Sequence, residues 1–297
     1  MSGDVSPANC DLCGGTEVHP LTVGNRFGRS APIVQCVRCG LTYQSPRPKT
    51  GELESFYRDE YRVLYSGSSE PRDWFVEDQR RRGAEVLQRI RESGAAIPSR
   101  VLDLGCGAGG ALLPFRSFGA VVAGVEPGPY GGWAASTLAL DIRQSLSEVR
   151  AGEDFGLVML SFVLEHVDSP FETLAELHRL LRQDAVVYVE VPNLLGATGA
   201  AEDYFHLAHL TYFTPETLRA MLTAAGFEVF AQAGKRGYSV WQLARVVDRE
   251  PRRPDAWSDP PLDSVEAARK RLTRQRRMEV IDSSFRGAVK PALAAVK

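Results

Sequence analysis

The sequence predicts an α/β fold: an open, mostly parallel Rossmann-like sheet, preceded by a small four-cysteine ribbon and followed by a helical tail. Three observations predict it. Continuous apolar runs at Val101–Leu104, Val121–Val125, Leu157–Leu160 and Val186–Val191 read as parallel strands covered on both faces. An amphipathic helical pattern separates the last two, which is the βαβ alternation of a parallel sheet. Two C-x-x-C-G units stand ahead of all of this, spaced as metal knuckles.

In chain order, residues 1–45 form the ribbon unit. Cys10-Asp-Leu-Cys13-Gly14 and Cys36-Val-Arg-Cys39-Gly40 flank β-prone pieces such as Ile33-Val34-Gln35, and Leu41-Thr42-Tyr43 follows. Each knuckle puts two sulfurs on one side of an ion, and four thiolates suit a tetrahedral Zn2+ with no open position. Cys10, Cys13, Cys36 and Cys39 are therefore expected to be ligands of a structural zinc. A redox pair is the competing reading, although redox C-x-x-C motifs rarely come doubled. Ser45-Pro46-Arg47-Pro48 reads as a boundary. Residues 46–98 form an aromatic connector, with Tyr57, Tyr61 and Tyr65 as a lid over a ligand or as plain core. It ends in a basic amphipathic helix from Val76 to Ser93, with Val86, Leu87 and Ile90 on the apolar side and Gly94 as C-cap.

Residues 99–247 carry the sheet. Phe171, Leu174, Leu177, Leu180 and Leu181 mark one face of a helix over Pro170–Arg182. Thr214-Pro215-Glu216 opens another helix with a capping threonine and a proline at the first helical position, and Gly226 ends it. Phe227–Ala233 and Tyr238–Val246 read as a closing antiparallel hairpin. Residues 248–297 comprise a Pro- and Asp-rich linker and a basic helical tail, Arg269-Lys270-Arg271-Leu272-Thr273-Arg274-Gln275-Arg276-Arg277. The tail reads as a solvated helix packed on the body or on a second subunit of a homo-oligomer; an anionic partner is the other reading.

Composition narrows the function. Of 297 residues, 35 are Lys or Arg and 37 Asp or Glu, a net charge of −2, so no global field attracts nucleic acid. No apolar run approaches the ~20 residues of a membrane span, and the N-terminus lacks a signal peptide's basic-then-apolar order. Five cysteines, four of them in knuckles, indicate a reducing cytoplasm.

The chemistry is concentrated in Val101-Leu102-Asp103-Leu104-Gly105-Cys106-Gly107-Ala108-Gly109-Gly110, a strand running into a glycine-rich turn. Gly105, Gly107 and Gly109 let the backbone turn sharply and lie flush against a ligand. The spacing also fits a dinucleotide fingerprint, but Asp103 would repel a pyrophosphate and suits a ligand carrying an ammonium and a sulfonium. Glu126, ending the second apolar run about 20 residues after the first glycine, is placed to accept two ribose hydroxyls. Cys106 reads as a small buried residue. His19 and His178 read as structural or solvated. His166, His206 and His209 fall after the last two parallel strands, at the carboxyl edge where ligands of open α/β sheets bind.

VLDLGCGAG resembles motif I of the class I S-adenosylmethionine (SAM) methyltransferases, and Ser161-Phe162-Val163-Leu164-Glu165-His166-Val167 resembles their motif IV in its "EHV" form. The resemblance implies a seven-stranded sheet and SAM held by Asp103, Gly105, Gly107, Gly109, Glu126, Ser161 and Tyr65. Adenine is expected near Asp141–Leu146, where Ile142-Arg143-Gln144-Ser145 stands in place of the usual acid. With the ribbon, the connector and His209-Leu-Thr-Tyr212-Phe-Thr, residues 8–247 are similar to the zinc-ribbon methyltransferases of deoxysugar and surface-polysaccharide pathways, in particular to sugar-nucleotide C-3 methyltransferases. That likeness implies a histidine base, with Asn193, His166 and Tyr212 lining the acceptor pocket. Two departures weigh against C-methylation of a keto-sugar: Ala208 replaces the motif's glutamate, and the family's second Rossmann-like domain has no counterpart in the sequence.

The expected activity is SAM-dependent methyl transfer to a hydroxyl, or a carbon, of a sugar-type or other small polar acceptor, such as a sugar nucleotide or glycan. His209 is the expected base, with His206, His166 and Tyr212 as orienting groups. An RNA methyltransferase and a catalytically silent SAM-binding scaffold are the competing readings.

Overall fold

The computed structural model describes residues 8–24, 29–48, 51, 56, 68, 70–196, 204–234 and 237–254. Tyr57, Tyr61, Tyr65 and the basic tail lie outside the described residues. The N-terminal unit is an antiparallel sheet of β1 (Val18–Gly24), β2 (Ala31–Cys36) and β3 (Thr42–Gln44). Its two cysteine knuckles are alike. In each, the glycine after the second cysteine lies in the left-handed region (Gly14 φ 68°, Gly40 φ 75°) and its amide donates to the carbonyl of the first cysteine. A side chain at either place would strain the turn.

α1 (Asp73–Glu92) starts three residues ahead of the expected Val76, and it ends at the capping Ser93 before Gly94 in the left-handed region. The catalytic sheet then builds as β4 (Arg100–Leu104), α2 (Leu113–Ser117), β5 (Val121–Val125), α3 (Pro129–Leu138) and β6 (Asp141–Arg143). The chain next returns to the far side of β4 with β7 (Leu157–Ser161), α4 (Pro170–Leu180) and β8 (Val186–Pro192). A two-residue strand β9 (Thr211–Tyr212), α5 (Pro215–Ala224) and the hairpin of β10 (Phe227–Ala233) and β11 (Ser239–Val246) complete it. The order β10-β11-β8-β7-β4-β5-β6, parallel except for the hairpin, makes a seven-stranded Rossmann-like sheet. Strand order reverses at β4, and the loops leaving the carboxyl ends of β4, β5, β7 and β8 meet there, the usual place for a ligand.

Alternation along the strands sends side chains to two apolar layers. Val101, Leu157 and Met159 pack with Val86 and Ile90 of α1 and Phe115 of α2; Leu102, Leu104, Val158 and Leu160 pack with Leu174 and Leu177 of α4 and with Leu218 and Leu222 of α5. The second layer also contains Leu12, Leu41, Tyr43 and the cysteines, so the ribbon shares the body's core. Asp11, inside the first knuckle, adds a polar tie. It accepts from Ser169 Oγ (2.7 Å) and Phe171 N (2.8 Å) at the start of α4 and pairs with Arg253 (3.1 Å). No helix among the described residues is long and apolar enough to cross a membrane.

α1 lies directly on the glycine turn. A Cβ on Gly110 would come within 2.4 Å of Val76 O, and one on Gly83 within 2.2 Å of Ala111 O. Gln79 ties the contact by donating to Cys106 O (3.0 Å) and accepting from Gly110 N (3.3 Å). Gly83 therefore supplies a sharp test. In an exposed helix Gly→Ala stabilises by about 1 kcal/mol; here Gly83→Ala is expected to destabilise, by about 1–3 kcal/mol, because backbone must move. Urea denaturation of the two proteins reads the sign.

Candidate active site

Three alternate glycines in the left-handed region shape the turn after β4: Gly105 (φ 73°), Gly107 (φ 56°) and Gly109 (φ 74°). Asp103, at the tip of β4, is 4% exposed, and Glu126, just past β5, is 7% exposed. Glu126 accepts from Gly107 N (3.0 Å) and Gly128 N (2.9 Å), so the acid that was expected to take the ribose also pins the glycine turn to the start of α3. A carboxylate offers about four acceptor sites, which leaves both roles compatible. Burial, with the charge of Glu126 second, pushes the Asp103 carboxyl up to about 8. Arg143, in the segment assigned to adenine, is bound by Glu153 (2.5 Å) and Asp141 (3.1 Å).

Ser161 ends β7, partly buried. Phe162 beside it takes a left-handed backbone (φ 57°), rare for a bulky side chain, held by Phe162 N donating to Glu190 O (2.7 Å) and by Arg82 over its ring (5.0 Å). This bend lays Val163 on the glycine turn, where a Cβ at Gly105 would meet Val163 Cγ2 at 2.5 Å. The "EHV" segment is thereby fixed against the cofactor end.

The acceptor end is built from that segment and from residues 204–214. Leu210 N (2.8 Å) and Thr211 N (3.2 Å) both donate to Glu165 O, and His166 Nδ1 lies 2.9 Å from Ala208 O. His209 is thereby brought against both other histidines, with ring centroids 4.7 Å from His166 and 3.9 Å from His206. Tyr212 is 2% exposed; its hydroxyl accepts from His206 N (3.2 Å) and donates to His206 O (3.4 Å), so it holds the loop. The ribbon grips the same loop. Thr42 and Tyr43 of β3 pair with Tyr212 and Thr211 of β9, Gln44 N donates to Leu210 O (2.9 Å), and a Cβ at Gly24 would overlap Phe205 O.

The structure thus gathers Asp103, Gly105, Gly107, Gly109, Glu126 and Ser161 at the carboxyl ends of β4, β5 and β7, and His166, His206, His209 and Tyr212 in a second cluster, with Val163 between the glycine turn and that cluster. Asn193 goes elsewhere: fully buried, it donates to Gly234 O (2.6 Å) and Gly237 O (3.2 Å) and accepts from Leu195 N (3.0 Å), bracing the β10–β11 turn. His178 bonds Val247 O (3.0 Å) and edges onto Phe227, and Cys106 is buried, both structural as expected. Sequence reasoning missed Gln79 and the Glu165 side chain. Glu165 is 1% exposed, and burial pushes its carboxyl up to about 8, against its own backbone hydrogen bond and with the charge of Glu190 adding.

At the ribbon, Cys10 Sγ and Cys39 Sγ are 3.4 Å apart, Cys13 Sγ and Cys36 Sγ 3.6 Å, and all four lie within 4.8 Å of one another. Thiolates about 2.3 Å from one tetrahedral Zn2+ stand roughly 3.8 Å apart, so this donor set fits that ion.

A seven-stranded Rossmann-like sheet with a glycine turn between two acids defines a SAM-dependent methyltransferase. The sequence profile of a family described as a methyltransferase domain matches residues 75–232, and the chain belongs to that family. The ubiquinone biosynthesis O-methyltransferase of Azorhizobium caulinodans is 31% identical over 173 residues, 50% of this chain and 68% of that relative. Its counterpart from Rhodopseudomonas palustris (strain BisB5) is 31% identical over 46% of this chain and 60% of its own length. Among solved structures, the 1,6-didemethyltoxoflavin-N1-methyltransferase of Burkholderia thailandensis, with S-adenosylhomocysteine bound, superposes with a TM-score of 0.52 at 22% identity over 78% of this chain and all of that one. The CcbJ methyltransferase of Streptomyces caelestis gives 0.50 at 19% identity over 65% of this chain and 99% of its own. These two likenesses establish the fold. The relatives named here are O-methyltransferases of ubiquinone biosynthesis, not sugar C-3 methyltransferases.

The Asp103 environment sets a pH dependence. With the Asp103 carboxyl raised to about 8 by burial, a cationic ligand that meets it releases a proton below that pH. The affinity for SAM is therefore expected to rise with pH between 6 and 7.5, by up to about tenfold per unit, with proton release seen as buffer-dependent calorimetric heat. Asp103→Asn flattens this profile and weakens binding. A wild-type affinity independent of pH would show that Asp103 does not meet the cation.

Proposed function

We propose that the protein transfers the methyl group of SAM to a hydroxyl oxygen of a small polar acceptor, with His209 drawing off the hydroxyl proton. The observation that carries this reading is the packing of His166, His206 and His209 at the carboxyl edge of the sheet, on a segment whose neighbour Val163 touches the glycine turn. SAM supplies an electrophilic methyl carbon on a sulfonium. Asp103 and Glu126 hold the donor's ammonium and ribose, the backbone of Gly105, Gly107 and Gly109 lies along it, and Ser161 borders it. As the acceptor's O–C bond forms and the C–S bond breaks, the proton passes to His209, a partly exposed imidazole. His206 and His166 set its orientation, and Tyr212 holds the His206 backbone. Oxygen as the target accords with the named relatives. A sugar-type acceptor, a sugar nucleotide or glycan, rests on the ribbon and the His209-Leu-Thr-Tyr212 resemblance.

The ribbon is proposed to bind Zn2+ through Cys10, Cys13, Cys36 and Cys39. With four ligands filled, the ion has no position for chemistry, and its part is to hold β3 against β9. A cytoplasmic location accords with reduced thiols of this kind.

His209→Ala is expected to lower turnover by about 10²–10⁴-fold while leaving SAM affinity within a few-fold. Loss of SAM binding in a calorimetric titration would instead mark His209 as structural. Cys10→Ser with Cys36→Ser is expected to release one zinc per chain and to disorder the β3–β9 junction. Retention of stoichiometric zinc in that double variant, by elemental analysis, would count against the ribbon site.

A further inference from the structure

Methyl transfer with a histidine base leaves one group unexplained. The Glu165 carboxylate is almost fully buried, and both of its oxygens lack a hydrogen-bond partner among the described residues. A carboxylate taken out of water without a partner is strongly disfavoured, and such groups are retained where a cation compensates them. His166 Nε2 lies 3.8 Å from Glu165 Oε1, too far for a hydrogen bond.

The imidazole is prepared for a cation as well. Its Nδ1 is 2.9 Å from Ala208 O, a carbonyl that only accepts, so Nδ1 carries the hydrogen and Nε2 of the neutral ring keeps its lone pair. A backbone carbonyl on the remote nitrogen is how metal-bound histidines are oriented. Glu165, His166 and His209 each offer one ligand atom, and these atoms lie within 4.8 Å of one another. Donors about 2.0–2.2 Å from a shared ion stand roughly 3–3.5 Å apart, so modest side-chain adjustment closes the set. The backbone is already fixed by the two amides on Glu165 O and by the β3–β9 pairing. Glu165 is buried while His166 and His209 are partly exposed, so the cluster is in reach of solvent through the histidines.

We propose that Glu165, His166 and His209 form a second metal centre, separate from the cysteine site, which holds a divalent cation of the zinc–manganese class and presents its open positions to the acceptor. Two imidazoles and one carboxylate with free positions are a catalytic rather than a structural donor set. A hydroxyl bound there loses its proton nearer neutral pH, the proton leaving to solvent. Its oxygen then forms the bond to the methyl carbon while the C–S electron pair stays on sulfur. An acceptor with two adjacent oxygens would chelate the ion. The inference rests on the O-methyl-transfer reading; within it His209 is a ligand, and the cation takes over the activation of the hydroxyl that the metal-free reading gives to His209.

The test uses the full chain with its ribbon zinc in place. Mn2+ titration, followed by loss of the free-ion paramagnetic resonance signal, is expected to show one further equivalent bound. Glu165→Gln and the more exposed His209→Ala are each expected to weaken it at least about tenfold with the zinc content unchanged. Co2+ in the same site should give d–d bands without the thiolate charge-transfer band of the ribbon. Absence of binding up to millimolar Mn2+, Co2+ and Zn2+, or wild-type affinity in His209→Ala, overturns the centre. Methyl transfer that persists when chelator has removed everything but the ribbon zinc overturns it too, and leaves the methyltransferase reading standing. Failure to bind SAM would strike that reading alone, since Mn2+ binding is read without SAM.

Discussion

The short pairing of β3 with β9 is the joint on which the rest of this protein depends. Two residues of the segment after β8 become the fourth strand of the ribbon sheet, and the histidines stand immediately before them. Backbone hydrogen bonds across that joint set the loop's height and direction, and the ring contacts among His166, His206 and His209 follow from it. The ribbon therefore fixes the loop that carries His206 and His209. Asp11 at the start of α4 and the shared apolar layer make the attachment rigid, because sliding the ribbon would expose Leu41 and Tyr43 and strand a capping carboxylate.

Buried acids stand in both clusters. Asp103 and Glu126 stand side by side at the tips of β4 and β5, and Glu165 lies under the histidines. Arrangements of this kind cost stability in the free protein, since burial favours the neutral acid. They are tolerable where a positively charged ligand compensates them. The left-handed Phe162 belongs to the same economy, a strained residue that turns the chain off β7 so that Val163 covers Gly105 and the next residues reach the acceptor side.

Local signals carried well where the responsible atoms are close in sequence. The strands show as apolar runs, and α5 shows in its Thr214 cap, where a capping box with Thr217 forms. The knuckles show in glycines whose positive φ the turn requires. α4 stops at Leu180, short of the expected Arg182, because Leu181 turns extended to continue toward β8. Asn193 could not be read correctly from the chain, since its partners Gly234 and Gly237 lie on a hairpin far along it. Gln79 sits on a solvated-looking helix, and its value comes from facing the glycine turn.

The sequence by itself determined the α/β class, the cofactor-binding glycine turn with its two acids, the four-sulfur cluster and the sheet edge at which the histidines emerge. Each of these follows from residue type and short-range spacing. Only the tertiary structure decided that the ribbon sheet borrows a strand from the acceptor loop, that Tyr212 braces the loop with its hydroxyl, and that the Glu165 carboxylate lies within reach of His166 and His209. Those facts depend on the packing of segments distant in the chain, and a carboxylate's burial and neighbours have no trace in the letters around it.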